Sequence, residues 1–433
     1  MIELLKEIIL ENQLISVHVG TTRHLQIKVL PNKATICMGV RRCGKSTYMQ
    51  QIRARMILDG VAPENILALS FFDDRLDFLH ETGLGAAIEA YFLLYPMKKN
   101  VEKIYCFFDE IQVFKGWEKF VERIMRTEIC EIYITGSSAK MLSTDIATEM
   151  RGRSLAWEMF PFSFHEYLDY KGISIEKNLT SKARLLIEHG FDEYWQCGGF
   201  PETIAIEKTL RIKVHQEYLN TIVFKDIIQR HDVHHPNAIV DLAHQLLENI
   251  ANMHSINSLT GYLKSLGHKL SKTLVSEYVK WLADAYFIFG VGIFNASIAE
   301  NKRNPQKYYC IDSALVRSTT SGILTNSGHL LENLVFITLR RSYQKIYYYR
   351  TKSGKEVDFI VQHQDKSKTL IQVSETLKDS TTRKRELIAL QEAMLEQKVQ
   401  YGLIVTLREE ESVKNVVGEI HVVPLWRFLL DKY

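Results

Sequence analysis

Residues 39–46 read Gly39-Val40-Arg41-Arg42-Cys43-Gly44-Lys45-Ser46, and Thr47 follows. The run fits G-x-x-x-x-G-K-[ST] at every set position. An apolar run, Ala34 to Met38, precedes it, and a helical stretch, Lys45 to Asp59, follows. Few folds accept a glycine-bounded turn between a buried strand and a helix start. The glycines let the backbone curl until its N–H groups converge on one point. The helix N-terminus adds about half a positive charge at that point. Such a point holds a phosphate group.

We therefore expect a phosphate-binding loop for ATP, lined by Gly39, Arg42, Cys43, Gly44, Lys45, Ser46 and Thr47. Lys45 is expected to reach the β- and γ-phosphates, Ser46 to ligand Mg²⁺, and Thr47 to line the pocket. Arg41 and Arg42 are candidates for phosphate or carboxylate contacts.

The chain around the loop alternates strands and helices. Strands are predicted at Ile66 to Phe72, Ile104 to Phe108 and Ile132 to Thr135, with a helix from Trp117 to Thr127. Alternation of this kind implies a parallel sheet covered on both faces. The unbroken apolar run Ile104-Tyr105-Cys106-Phe107-Phe108 suits the middle of such a sheet. It ends in Asp109-Glu110. At the carboxyl end of its strand, Asp109 can hold the metal through water, and Glu110 can orient or deprotonate the attacking water. A second run ends in Thr135-Gly136-Ser137-Ser138. There Thr135 or Ser137 either meets the γ-phosphate or the water, or caps the strand end. Arg151-Gly152-Arg153 comes next, and Arg151 is a candidate for stabilising transition-state charge, with a solvated structural arginine as the bland alternative.

The chain is 433 residues long, enough for two to four domains at about 150 residues each. Its 54 basic and 51 acidic residues leave a net charge of +3, which neither indicates nor excludes nucleic acid. Cys37, Cys43, Cys106, Cys130, Cys197 and Cys310 form no C-x-x-C pair, which suits a reducing compartment. Met1-Ile2-Glu3 opens no secretory leader, and no run reaches about 18 apolar residues. We expect a soluble cytoplasmic protein with no membrane partner.

Beyond about Asn178 the pattern is mostly helical to Ile256. From Ser258 to Phe294 it reads helix, turn, helix, strand, the outline of a winged helix-turn-helix. Leu259, Tyr262, Leu263 and Leu266 share one face, Gly267 stops the first helix, and Ser271 opens the second. From Gly328 onward a helix (Leu330 to Ser342), a hairpin (Ile346 to Arg350 and Glu356 to Gln362) and strands at Thr369 to Ser374 and Tyr401 to Thr406 are predicted.

Taken together, these marks resemble the bacterial AAA-type ATPases that join an N-terminal P-loop domain to a C-terminal domain of unknown function. The resemblance spans nearly the whole chain. It is carried by Gly39 to Thr47, Phe71-Phe72-Asp73-Asp74, Asp109-Glu110-Ile111-Gln112 with Gly116-Trp117-Glu118, and Thr135-Gly136-Ser137-Ser138. Arg151-Gly152-Arg153, Pro161-Phe162-Ser163-Phe164 and Gly198-Gly199-Phe200-Pro201-Glu202 extend it. Ile311-Asp312, Glu332-Asn333, Tyr349-Arg350 and Glu356-Val357-Asp358-Phe359 carry it into the C-terminal half.

It implies an α/β fold: a P-loop NTPase parallel sheet with a helical lid, a winged helix-turn-helix and a C-terminal restriction-endonuclease-like domain. The expected divisions are 1–170, 171–250, 251–325 and 326–433. From the site residues the expected activity is Mg²⁺-dependent ATP hydrolysis driving a switch of the C-terminal domains, with a winged-helix DNA-binding protein controlled by ATP occupancy as the alternative.

Nucleases of that fold hold Mg²⁺ with an acid on a hairpin strand, then an acid, a spacer and a lysine on the next strand. Asp358 fills the first place, with Glu332 as a helix acid. In Ile371-Gln372-Val373-Ser374-Glu375, however, Gln372 and Ser374 replace the acid and the lysine. Neutral glutamine is a poor ligand for a hard cation. Glu375 is out of phase, facing the other side of a strand. The expectation is a binding or dimerisation domain that kept the fold and lost the site, with an ATP-gated nuclease as the alternative.

Lys269, Ser271, Lys272, Thr273, Ser276 and Lys280 suit DNA phosphate contact or, equally, a solvated face. Lys302-Arg303, Lys307 and Arg340-Arg341 add basic character nearby. His231-Asp232-Val233-His234-His235 reads as a polar connecting loop rather than a metal site. DNA, a protein partner and a second copy of the chain are the partners left open.

Overall fold

The computed structural model describes residues 1–14, 19–137, 148–175, 180–295, 304–322 and 326–431. Ser138, Asn178, Lys302 and Arg303 lie outside the described residues. The chain divides into two compact units, Met1–Phe160 and Pro161–Tyr433.

The first unit is a five-stranded sheet in the order β2-β3-β4-β1-β5. Its strands are β1 (Ala34–Met38), β2 (Ile66–Ser70), β3 (Ile104–Asp109), β4 (Cys130–Gly136) and β5 (Ser154–Glu158). Every pairing is parallel. Parallel strands need crossovers that cover the sheet. Here α1 (Ile2–Leu14), α2 (Lys45–Leu58), α3 (Gly85–Leu94) and α4 (Trp117–Thr127) supply helical cover. Helix α4 shows why a sequence pattern becomes a packed face. Its Trp117, Phe120, Val121 and Ile124, spaced three and four apart, are all buried.

Two boundaries differ from expectation. Strand β2 stops at Ser70, because Phe71 and Phe72 turn away into a short 3₁₀ segment at Asp74–Leu76. Phe71 is buried, while Phe72 is 54% exposed under the Arg41 guanidinium, 5.4 Å from its ring centre. Strand β4 is longer than predicted because its first residues pair with β3 from Ile104 onward.

The second unit opens with α5 (Phe164–Lys171), α6 (Ser181–Cys197), α7 (Lys208–Thr221, continued as a π-helix over Ile222–Gln229) and α8 (Pro236–Glu248). Strand β6 (Met253–His254), α9 (Ile256–Ser265), α10 (Lys272–Asp284), β7 (Ile288–Val291) and β8 (Gln306–Cys310) follow. The three strands form a sheet in the order β6-β8-β7. Ser271 caps α10 by accepting from Leu274 N, as its position predicts. Leu259 and Leu263 are buried, whereas Leu266, expected beside them, is 49% exposed. Helix α9 ends at Ser265, so Leu266 has left the apolar stripe.

Helix α11 (Ser313–Thr319) and α12 (Ser327–Ser342) lead to β9 (Ile346–Arg350), β10 (Glu356–Gln362), β11 (Lys368–Val373), α13 (Ser380–Gln397), β12 (Tyr401–Thr406), β13 (Glu411–Lys414) and β14 (Glu419–Pro424). Those six strands make one mixed sheet, β13-β14-β12-β11-β10-β9. Among the described residues no helix is long and apolar enough to cross a membrane.

His215 of α7 is fully buried, with its ring nitrogens 2.9 Å from Ser318 Oγ and 3.2 Å from Thr203 Oγ1. Burial pushes its pKa below the usual 6.5, against the opposing charge of Asp312. The unfolded chain therefore takes this proton first, so stability present above pH 6.5 is lost as pH falls toward the folded value. Chemical denaturation from about pH 7 to about pH 5 is expected to show the loss, and His215→Asn to flatten it. Equal slopes for both proteins contradict the assignment.

Candidate functional site

The parallel order β3-β4-β1 brings three carboxyl strand ends side by side. The loop after β1, the Asp109-Glu110 pair after β3 and the Thr135–Ser137 end of β4 therefore meet in one place. The loop turns sharply: Cys43 N donates to Val40 O (3.4 Å), Arg42 has φ +64° and Gly44 has φ +99°. Gly39 is obligatory on steric grounds, since a Cβ there lies 2.0 Å from Met159 O.

Lys45 is 4% exposed. Its Nζ donates to Gly39 O and Val40 O, both at 3.1 Å, and lies 3.6 Å from Glu110 Oε1. Ser46 Oγ donates to Asp109, with both carboxylate oxygens at 3.0 Å. Thr135 Oγ1 also donates to Asp109, and accepts from Glu110 N at 2.9 Å. Burial raises the Asp109 pKa from 3.8, although the Thr135 and Ser46 hydroxyls favour its charged form. Glu110 is buried and left-handed, at φ +56°. Its carboxylate accepts from Gln112 Nε2. Ser137 Oγ is fully buried and makes no hydrogen bond among the described residues.

These residues offer hard oxygen donors, a hydroxyl and a carboxylate, facing each other beside a buried ammonium. That set fits Mg²⁺ rather than a softer ion. Cys43 is buried with its thiol raised by burial, so it serves packing. Thr47 lies on the first turn of α2, and Arg42 is exposed.

Arg151 is not brought to this group. Strand β5 runs parallel to β1 with Ser154 beside Ala34, so Arg151 stands before the amino end of the sheet. A five-residue strand separates it from the loop, about 16 Å. Its side chain is 75% exposed, 4.0 Å from Glu122. The reason is topological: a residue just ahead of a parallel strand lies opposite the carboxyl-end mouth. Two residues carry more than sequence reasoning assigned them. No spacing rule marks Gln112, which donates to Glu110, or the buried Arg23, which donates to Cys43 O in the loop.

In the second unit the acids also converge, but on a lysine. Lys307 Nζ of β8 lies 2.9 Å from Glu332, 2.8 Å from Glu356 and 3.0 Å from Asp358. Burial opposes the Lys307 charge, yet Asp358, Glu332 and Glu356 outweigh it and hold its pKa above normal. Burial and the Asp358 charge push Glu332 up to about 7. Gln372 accepts from Asp358 N at 3.3 Å and donates to Glu386 at 2.8 Å. Strand β11 ends at Val373, so Ser374 and Glu375 lie past it rather than on its two faces. Glu375 instead accepts from Ser327 Oγ. His231 stacks on Trp281, with ring centres 4.3 Å apart.

The profile of an AAA domain matches residues 31–168. Two domains of unknown function match residues 188–325 and 327–428. An uncharacterised protein of Methanocaldococcus jannaschii is 31% identical over 439 residues, covering 99% of this chain and 95% of that one. An uncharacterised protein of Haemophilus influenzae is 28% identical over 330 residues, covering 76% of this chain and 80% of its own. Among solved structures, the chain is similar to the Walker-type ATPase of Pyrococcus abyssi at 14% identity and a TM-score of 0.41, covering 66% of this chain and 90% of that one. The chain belongs to the AAA-type ATPase family that includes the Methanocaldococcus jannaschii protein.

Proposed function

We propose that this protein binds ATP with Mg²⁺ at the carboxyl end of its parallel sheet and hydrolyses it, the nucleotide state switching the arrangement of the C-terminal domains. One observation carries the reading: Ser46 Oγ sits 3.0 Å from both Asp109 oxygens, at the start of the helix that follows the glycine loop. When bound, Mg²⁺ neutralises charge on the phosphate oxygens. Ser46 and Asp109 are the residues to hold it. Lys45 exchanges the Gly39 and Val40 carbonyls for phosphate oxygens. Glu110 orients water and takes its proton, and Gln112 and Thr135 hold Glu110 and Asp109 in position. The unpartnered Ser137 hydroxyl is a donor available for the γ-phosphate. Arg151 has no role at the site of its own chain in this reading.

The C-terminal module is read as a restriction-nuclease-like fold without a metal. Supporting this, the Lys307 ammonium already lies among Glu332, Glu356 and Asp358, and Gln372 stands where a carboxylate is needed. Helices α9 and α10 with β7 are read as a winged helix. A second function has one observation behind it: Lys269, Lys272, Thr273, Ser276 and Lys280 are all exposed on α10 and the turn before it. That face suits DNA phosphates.

Calorimetric titration should find Lys45→Ala at least about 100-fold weaker for ATP, the loss of charge-assisted hydrogen bonds to phosphate. Glu110→Gln should retain ATP affinity and lose about 10²- to 10⁴-fold in turnover, the usual worth of a general base. Normal affinity in the first variant, or normal turnover in the second, removes the corresponding role. For the DNA reading, filter binding should weaken steeply as salt rises, and the DNA should stay intact with Mg²⁺. Salt-independent binding rejects phosphate recognition, and cleavage that Asp358→Ala abolishes rejects the metal-free module.

A further inference from the structure

The segment ahead of β1 is tied to α2 beside the phosphate loop. Gln51 Nε2 donates to Thr21 O at 2.6 Å, and Arg23 N donates to Gln51 Oε1 at 3.2 Å. Tyr48 OH donates to Leu25 O. Within this segment Arg23 is buried, 8% exposed. Its guanidinium donates to Cys43 O through Nη1 and to Phe160 O through Nη2, both at 2.6 Å. A guanidinium is a rigid, permanently charged fork, so two short bonds from its two ends set the spacing of the carbonyls it holds.

The identity of the held carbonyl matters. Cys43 immediately precedes Gly44 in the loop, and the peptide between them is planar. Every peptide bond among the described residues is trans. In a trans peptide the C=O and the next N–H point in opposite directions. Anchoring Cys43 O on Arg23 therefore aims Gly44 N–H away from Arg23. Without an anchor, the peptide is free to rotate, because Gly44 at φ +99° meets little steric resistance. In the absence of an anion, converging N–H groups also repel one another, which favours such a rotation.

We propose that Arg23 is a positioning residue of the phosphate loop, holding the Cys43–Gly44 peptide so that Gly44 N–H faces the bound phosphates. The inference rests on the nucleotide reading above and adds a residue outside the loop motif to it. Arg23 touches the Cys43 carbonyl of the loop and the Phe160 carbonyl just past β5, and its role is positioning. Its contribution is preorganisation: the cradle keeps its shape before the nucleotide arrives. Phe160 O supplies the second anchor, so the guanidinium cannot swing out with the loop.

The test is titration of the full chain with a fluorescent ATP analogue and Mg²⁺, comparing wild type, Arg23→Ala and Arg23→Lys. Arg23→Ala should bind roughly 10- to 100-fold more weakly, the worth of a hydrogen bond from a charged group. Arg23→Lys, with its charge but no fork, should fall between. Millimolar guanidinium should restore part of the Arg23→Ala loss, which a general folding defect does not permit. If Arg23→Ala fails to fold, Arg23→Lys decides alone. Wild-type affinity in whichever variant folds overturns the inference, as does a loss that guanidinium leaves unchanged. A wild-type chain that binds no nucleotide fails the ATP reading itself, whereas binding that is insensitive to position 23 fails only this inference.

Discussion

Parallel pairing of β3, β4 and β1 is the constraint on which the first unit depends. Because all three run the same way, their carboxyl ends emerge at one edge of the sheet. Residues 39, 109 and 135 are far apart along the chain, yet each stands just past or at the end of its strand. The 3.0 Å approach of Ser46 to Asp109 follows from that register. Reversing any one of the strands would send its polar end to the opposite edge. Arg151 illustrates the rule from the other side, since it precedes β5 instead of following it.

Burial then sets the electrostatics. Lys45, Glu110, Thr135 and Ser137 are all nearly inaccessible, so each charge or dipole acts in a medium less screened than water. A lone buried ammonium is costly, and Lys45 meets that cost with two loop carbonyls and Glu110. Asp109 is held in a comparable way by three hydroxyls, from Ser46, Thr135 and Ser70.

The C-terminal module solves a similar problem by different means. The buried Glu332 and Asp358 and the partly exposed Glu356 surround Lys307 in an ion cluster that joins β8 to α12 and β10. Breaking such a cluster by removing one partner leaves uncompensated buried charge, commonly at a cost of about 3–5 kcal/mol. The acids that a nuclease reading singles out are therefore engaged with a cation from another strand. Glutamine at 372 fits this arrangement, because it can both accept from Asp358 N and donate to Glu386. A carboxylate there would add a negative charge to a cluster that already holds an excess.

Periodicity and motif alone determined a great deal. The loop, the strands at Ala34–Met38, Glu356–Gln362 and Tyr401–Thr406, and the helix Trp117–Thr127 were legible because each rests on local rules: glycine freedom, apolar alternation and helical spacing. The Asp109-Glu110 pair was legible because acids that close a buried parallel strand stand at the same sheet edge as the phosphate loop. Tertiary structure decided what local rules do not reach. Arg23 meets Cys43 from twenty positions upstream, Gln112 turns back on Glu110 through a left-handed residue, and Lys307 reaches Glu332, Glu356 and Asp358 from another strand. Arg151 lies at the other end of the sheet of its own chain, because it precedes β5 and β5 runs parallel to β1. Side-chain charge acts over a few ångströms in space, and only the folded backbone determines which groups come that close.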